Sequence, residues 1–517
     1  MAENHALQYW YEKLKKYFSR RDALVFAIAF VTALLVHFFG FTDKYINHDD
    51  VDGLYSNCDF ALASGRWFLQ AVHALTGNIS SSWLNGLLGS FSLAASSMLV
   101  VKLFRITRLL PAFLLSLCMI AFPTVASTYS YMFSSGAYLF AMLMAVAGVC
   151  CVRMEKPLSL AVGVVLLALS MGCYQAYFCL AALLLVMLLI CDLCNNRWEG
   201  RFKPFAVTAL KYLGALALGL AVYYVVLQIL LKVTGTVLTE YQGISGMGQI
   251  TLPILLRRIQ TAYRSYCDFI GNKLFPIFGG YFPILAVLSL LVGLATVVIC
   301  VIRKKVYRQW VSMVFLVILL AVFPLAGSLI YLMTEVDIHL LMIYPMVFSL
   351  LLPCFALEHL RLPKGRWLRR GAAALTLLLI LLQSVIAHEL VFVTNRAYFA
   401  MDITYENVYA YYLKLSAKIE LTEGYQKDTP VALIGTQTMD NYVPDPGMTG
   451  VLVGDAALNI YSYDRIFAYY MGTSYRFASG EVKQALMQTE EYQAMPCYPA
   501  AGSIRMIDGV ITVKMSQ

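Results

Sequence analysis

The sequence predicts an α-helical polytopic membrane protein of about eleven transmembrane helices, with amphipathic helices at the interface and a C-terminal extracytoplasmic α/β domain. Three observations carry that prediction. Of the 517 residues, 60% are hydrophobic and 13% charged, with a mean hydropathy of +0.69, which points to lipid as the solvent. Apolar windows long enough to cross a bilayer recur over the first three quarters of the chain. Basic residues fall in every second connection, as they do when alternate loops face the cytoplasm.

In chain order the windows are 23–41, 82–101, 109–127, 134–152, 158–173, 176–194, 205–231, 281–302, 310–331, 339–359 and 371–393. The first follows the basic stretch KLKKYFSRR, yet it is longer than the apolar core of a secretory signal and no small-residue cleavage site follows it; it reads as a retained helix. The fifth and sixth meet at MGCYQAYF. Lys13, Lys15, Lys16, Arg20 and Arg21 precede the first window; Lys102, Arg105 and Arg108 follow the second; Arg153 and Lys156 the fourth; Arg197, Arg201 and Lys203 the sixth. Arg303, Lys304, Lys305 and Arg308 follow the eighth, and Arg361, Lys364, Arg366, Arg369 and Arg370 the tenth. This alternation predicts a cytoplasmic N-terminus and places 42–81, 128–133, the turn at 174, 232–280, 332–338 and everything after 394 outside. The domains expected are a membrane domain, 1–394, and an extracytoplasmic α/β domain, 395–517. The net charge of +9 is explained by orientation, so no nucleic-acid partner is expected. Of twelve cysteines, Cys118, Cys150, Cys151, Cys179, Cys191, Cys300 and Cys354 sit in windows as small apolar residues; Cys58, Cys267 and Cys497 lie outside the membrane and allow one disulfide at most.

The first outer connection opens with NHDDVDG, which sets Asp49, Asp50 and Asp52 close to the membrane edge. One carboxylate suffices to cap a helix or close an Asx-turn, whereas three that repel one another point to chemistry. Next, FALASGRWFLQAVHALTG reads as a single short interfacial helix, with Leu62, Phe68, Val72 and Leu75 around Arg66 and Gln70. In the fourth outer connection, 250–271 gathers Leu252, Leu255, Leu256, Ile259, Ala262, Tyr263, Tyr266, Phe269 and Ile270 on one face. Arg257, Thr261, Arg264 and Asp268 fall opposite, with Arg258 at the flank. These arginines either snorkel from an interfacial helix or bind a lipid phosphate, whose oxygens match the guanidinium fork. TEVDIH places Glu335, Asp337 and His339 at the mouth of the tenth window, as a solvated rim or as a substrate contact. After 394, ITYENVYAYYLKLSAKIEL reads as a helix, and TPVALIG, GVLVG and SIRMIDGVITVKM as strands, with no recognisable catalytic motif.

A carboxylate on the outer surface with guanidinium groups nearby suits glycosyl transfer: it takes the proton of an acceptor hydroxyl while the cations stabilise a departing phosphate. Nucleotide sugars are absent from that side, so the activated sugar arrives on a lipid phosphate. Two rival readings stand beside this one. A polysaccharide polymerase or ligase using lipid-pyrophosphate donors prefers cations to a carboxylate base. A lipid-linked glycan flippase or transporter lines its path with ionisable groups, of which the windows read as holding almost none except Lys211, His37 and His388.

The architecture resembles the GT-C class of membrane glycosyltransferases. NHDDVDG and SGRW after the first window, with SMGCYQAYF between the fifth and sixth, resemble the bacterial glucosyl transferase II family, known for O-antigen modification, over roughly residues 20–395. The resemblance implies a hexose, glucose by the family's name, moved from a polyprenyl-phosphate carrier to a cell-envelope glycan acceptor at the outer face of the bacterial cytoplasmic membrane. It implies Asp49 or Asp50 as catalytic base and the other as its partner in positioning the acceptor, with Asp52 beside them. Tyr174 and Gln175 line the sugar site by stacking and amide hydrogen bonds, or else pack a helix turn; Arg66, Arg257, Arg258, Arg264 and His339 complete the substrate contacts. Asp50 and Asp52 form the DxD that in some glycosyltransferases holds a divalent metal. Many GT-C enzymes with this donor class resemble metal-independent cases, so no metal or other cofactor is expected. The implied partners are the polyprenyl-phosphate sugar, the envelope glycan and membrane lipids.

Overall fold

The computed structural model describes residues 12, 15, 17–43, 47–52, 54, 60–239, 251–333, 338–360, 365–436 and 462–516. The strand expected at GVLVG, Glu335, Asp337 and the side chain of Asp52 lie outside the described residues. The chain divides into two compact units: Met1–Thr42 with Asn57–Asn395, and Asp43–Ser56 with Arg396–Gln517.

The first unit is helical. Among the described residues, eight helices are long and apolar enough to cross a membrane: Arg20–Thr42, Ser82–Leu103, Met132–Arg153, Tyr177–Cys194, Phe202–Thr234, Phe282–Arg303, Trp310–Gly327 and Arg366–Glu420. Leu109–Ala121 and Pro123–Tyr129, bent by 44° at their junction, make a ninth if they are one span. Pro123 opens the second half, where its missing N–H interrupts the helical ladder without stranding a donor. Pro157–Cys173, at 17 residues, is apolar but shorter. Ser82–Leu103, Met132–Arg153 and Tyr177–Cys194 are mostly buried in protein, at 72%, 72% and 83% of their apolar windows. Phe202–Thr234 and Phe282–Arg303, at 22% and 17%, instead turn Leu, Val and Ile outward, as lipid allows. This is a membrane protein.

The tenth expected span departs from the sequence reading. Residues 339–359 are not one helix but two 3-10 turns, Leu340–Met342 and Tyr344–Leu350, and a short helix, Leu352–His359. Pro345 and Pro353 each open a new turn, where a residue without an N–H is tolerated. Irregular backbone at membrane depth requires protein around it. The side chains from Ile343 to Leu351 are buried, and Tyr344 Oη donates to the Met119 carbonyl at 2.9 Å while Ser289 Oγ donates to the Ser349 carbonyl at 2.7 Å. Burial in protein accounts for the apolar composition here.

Residues 60–77 depart too. A single interfacial helix is replaced by Phe60–Ala63, a turn, Leu69–His73 and a 3-10 turn at Ala74–Thr76. Gly65 takes the left-handed conformation at φ +75°, its N–H bonds the Leu62 carbonyl at 2.9 Å, and the Arg66 N–H bonds the Ala61 carbonyl at 2.7 Å. That pair of bonds is a Schellman stop, which ends the first helix after one turn.

Where the basic loops begin, Arg153 grips Asp192 through both Nη atoms, with Nη2 at 2.7 Å from Oδ1, and Nη1 also donates to Tyr212 Oη at 2.8 Å. Arg197 Nη1 adds a bond to Asp192 at 2.9 Å. Asp192 thus joins the few ionisable groups inside the apolar windows, as does Glu389, which accepts from the Gly279 N–H at 2.5 Å and from Tyr281 Oη. Both carboxylates are held by neighbours.

The second unit holds a four-stranded sheet in the order β2-β1-β4-β3, with β1 Pro430–Ile434, β2 Arg476–Phe477, β3 Ile504–Ile507 and β4 Val510–Lys514. β1 runs parallel to β2 and β4; β3 and β4 form a hairpin that turns at Asp508 and Gly509, both at positive φ, as a right-twisted hairpin prefers. On the C-terminal part of Arg366–Glu420, Val408, Tyr412, Leu415 and Ile419 form one apolar stripe. It packs with Val431, Leu433, Ile466, Phe467, Ile511 and Val513. Val51 enters this same core from hundreds of residues upstream, on the short helix His48–Asp52. The segment that chain order assigns to the first connection of the membrane portion therefore builds the core of the second unit. Cys267 and Cys497 are free, and Cys58 lies outside the described residues.

Candidate functional site: an arginine on paired tyrosines and a two-aspartate helix

The residues singled out from the sequence fall in both units. In the first, the Schellman stop brings Arg66 to the break between Pro157–Cys173 and Tyr177–Cys194. Arg66 Nη1 donates to Tyr138 Oη at 2.8 Å, and its Cζ lies 5.5 Å from the ring centres of both Tyr138 and Tyr174. Those two rings stack at 4.3 Å with 22° between their planes. A guanidinium on an aromatic face gains about 0.5–2 kcal/mol according to its desolvation, and the ring leaves its charge intact. Tyr174 is 2% exposed, and burial pushes its phenol well above the usual range, so it serves as a neutral hydroxyl at working pH.

The loop holding Arg66 is latched to this break at several points. The Phe68 N–H bonds the Gly172 carbonyl at 2.6 Å, and Trp67 lies so close to Gly172 that a Cβ there would meet the indole at 2.6 Å. Gln175 Nε2 donates to the Ser64 carbonyl at 3.1 Å and to Tyr223 Oη at 3.3 Å. Three of the expected contacts, Arg66, Tyr174 and Gln175, thus form one cluster. Gln175 is engaged in holding the loop, which is the packing alternative for that residue.

The arginines of Leu252–Ile270 stand apart from this cluster in the described contacts. The helix buries Ala262, Ser265, Tyr266, Phe269 and Ile270, as its periodicity predicts, and leaves Arg257 and Arg264 exposed. Arg258 is half-buried and donates through Nη1 to the Leu332 carbonyl at 3.1 Å. His339 is half-buried at the start of the turn Leu340–Met342, its carbonyl accepting from the Met342 N–H at 2.9 Å.

In the second unit, Asp49 and Asp50 sit in the first turn of His48–Asp52. Asn47 caps this helix, its Oδ1 accepting the Asp49 N–H at 3.0 Å, so neither aspartate is needed for capping. His48 Nδ1 lies 2.7 Å from Ser462 Oγ. Asp50 is 1% exposed, whereas Asp49 is half-buried and reachable by solvent. Elsewhere in this unit, burial, reinforced by Asp43 and Glu406, holds Asp402 above the usual carboxylate range. Among the described residues no group of three or more His, Cys, Asp or Glu is placed to hold a metal ion.

The family description "Glucosyl transferase GtrII" matches residues 38–350, more than half of the chain. The chain belongs to this glucosyl transferase family. No curated protein and no solved structure matches it significantly. The GtrII match takes in the His48–Asp52 helix, the Arg66 loop and the Tyr174–Gln175 break, and ends inside the buried turn Tyr344–Leu350. Residues 396–517 lie beyond it. Membership makes this membrane protein a glycosyltransferase. The sequence reading missed Tyr138 and Tyr223, whose only signal was an aromatic residue in an apolar window, and quoted Trp67 only as part of SGRW.

Proposed function

We propose that this GtrII protein moves a glucosyl unit from a polyprenyl-phosphate carrier to a cell-envelope glycan at the extracytoplasmic face of the bacterial cytoplasmic membrane. The observation that carries this reading is the Arg66 cradle, a guanidinium resting on two stacked tyrosines inside the family-matched region. The guanidinium is available to a departing phosphate, and the paired rings hold it in place. Asp49 is the general base, since a base must reach its proton and Asp49 is the more accessible of the adjacent pair; Asp50 positions the helix and Asp52 the acceptor. Tyr174 donates to the sugar from a phenol that stays protonated. Arg257, Arg258, Arg264 and His339 guide the lipid-linked donor, and the reaction proceeds without a metal.

The test is transfer from synthetic polyprenyl-phosphate glucose to a lipid-linked envelope glycan by purified protein. Wild type is expected to transfer, and Asp49→Asn to lose at least about 100-fold in kcat while folding normally. Full activity in Asp49→Asn would remove the base assignment. Transfer from a lipid-pyrophosphate sugar alone would replace the donor class, and loss of activity in excess chelator would overturn metal independence.

A further inference from the structure

Tyr223 lies on Phe202–Thr234, a helix that mostly faces lipid, yet it is itself only 6% exposed. Its hydroxyl donates to the Gly65 carbonyl at 3.1 Å and accepts from Gln175 Nε2 at 3.3 Å. It also stands 2.7 Å from the place a Cβ would occupy on Gly65. Gln175 makes its other bond to the Ser64 carbonyl at 3.1 Å, and the Thr239 N–H bonds the Ala63 carbonyl at 3.0 Å. The carbonyls of residues 63, 64 and 65 are thus each taken by a donor from a different remote segment. The directions are chemically consistent, because an amide NH₂ has two protons and a phenol one proton and a free lone pair.

The two peptide units nearest Arg66 on its N-terminal side are therefore fixed from outside their own helix. The same hydroxyl holds Gln175, the residue that follows Tyr174. We infer that Tyr223 is a positioning residue for Arg66: by holding the Gly65 carbonyl and the Gln175 amide together, it sets the guanidinium on the Tyr138 and Tyr174 rings. Its functional half rests on the reading of Arg66 as the donor-phosphate contact; its structural half does not.

Tyr223→Phe removes the hydroxyl and keeps the ring that stacks near Trp67, 6.5 Å between centres and 26° between planes. Hydrogen exchange of the backbone over residues 62–72 is expected to accelerate by about 5-fold or more, since the Gly65 carbonyl loses its donor and Gln175 one of its two anchors. The control Tyr224→Phe, at a position 56% exposed, is expected to leave it unchanged. Unchanged exchange in Tyr223→Phe overturns the inference whatever the enzyme transfers. In the transfer assay, Tyr223→Phe is expected to lower kcat about 5- to 10-fold with donor KM within about 2-fold, and to have no further effect in an Arg66→Ala background. An equal effect in both backgrounds overturns the link to Arg66. Absence of transfer by wild type strikes the proposed function and leaves the exchange result to decide the positioning role.

Discussion

Two arginines, each bonded to a tyrosine hydroxyl at 2.8 Å, sit in contrasting surroundings in the membrane unit. Arg153 is matched by the Asp192 carboxylate, which Arg197 also grips, so opposite charges bind the helices Met132–Arg153 and Tyr177–Cys194, and the Tyr212 hydroxyl ties in Phe202–Thr234. Arg66 rests on two aromatic faces beside a break between helices. A carboxylate cancels a guanidinium; a ring face supports it and leaves its field in place. The first arrangement serves cohesion; under the proposed function the second serves a ligand.

The most direct way to break this contrast is Arg66→Ala, expected to lower transfer by about 100-fold, the scale of one lost transition-state donor, with the thermal midpoint nearly unchanged. Comparable losses of stability and turnover would make Arg66 a second structural clamp. Asp192→Asn should do the reverse, lowering stability by about 3 kcal/mol through an uncompensated Arg153 while activity per folded molecule is retained; a denaturation midpoint and an active-fraction assay separate the two. A third effect comes from His73, beside Arg66's loop, whose pKa burial lowers to about 4. The folded state then binds fewer protons than the unfolded one, so stability is flat above pH 6.5 and falls below it. This contribution should reach about 2 kcal/mol by pH 5, and His73→Gln should make the slope shallower by that amount. The smallest effect is expected from Arg264→Ala, exposed on its interfacial helix: about 2-fold in donor KM, whereas a 50-fold loss would make that helix a phosphate site of equal rank with Arg66.

Much of this was legible in the residues because lipid imposes strict rules. Windows of Leu, Val and Ile with basic residues at alternate ends became helices, and the arginine face of Leu252–Ile270 emerged on the side its period predicted. The two failures have different causes. Hydropathy measures removal from water and cannot tell lipid from protein, so the segment 339–359, apolar through burial in protein, reads like a span. The Arg66 loop failed for a local reason, since one left-handed Gly65 outweighed eighteen residues of helical spacing. Arg66, Tyr174 and Gln175 were found as types without their partners, because Tyr138 and Tyr223 are distant in sequence and their hydroxyls carry no periodicity. The placement of Val51 in the core with Phe467 and Val513 is a long-range contact that no local pattern encodes.

That last contact constrains the membrane crossing by parity. Residues 43–56 and 396–517 share one hydrophobic core, so they lie on the same side of the bilayer, and the chain between them crosses an even number of times. Ten apolar windows separate them, the second to the eleventh; without 339–359 nine remain, an odd number. If every other window crosses, parity sends the broken segment across as well; if the shorter helix Pro157–Cys173 also stays out, eight crossings remain and parity holds without it. Accessibility of single cysteines at 338 and 360 to an impermeant thiol reagent, expected from opposite sides, reads that crossing directly.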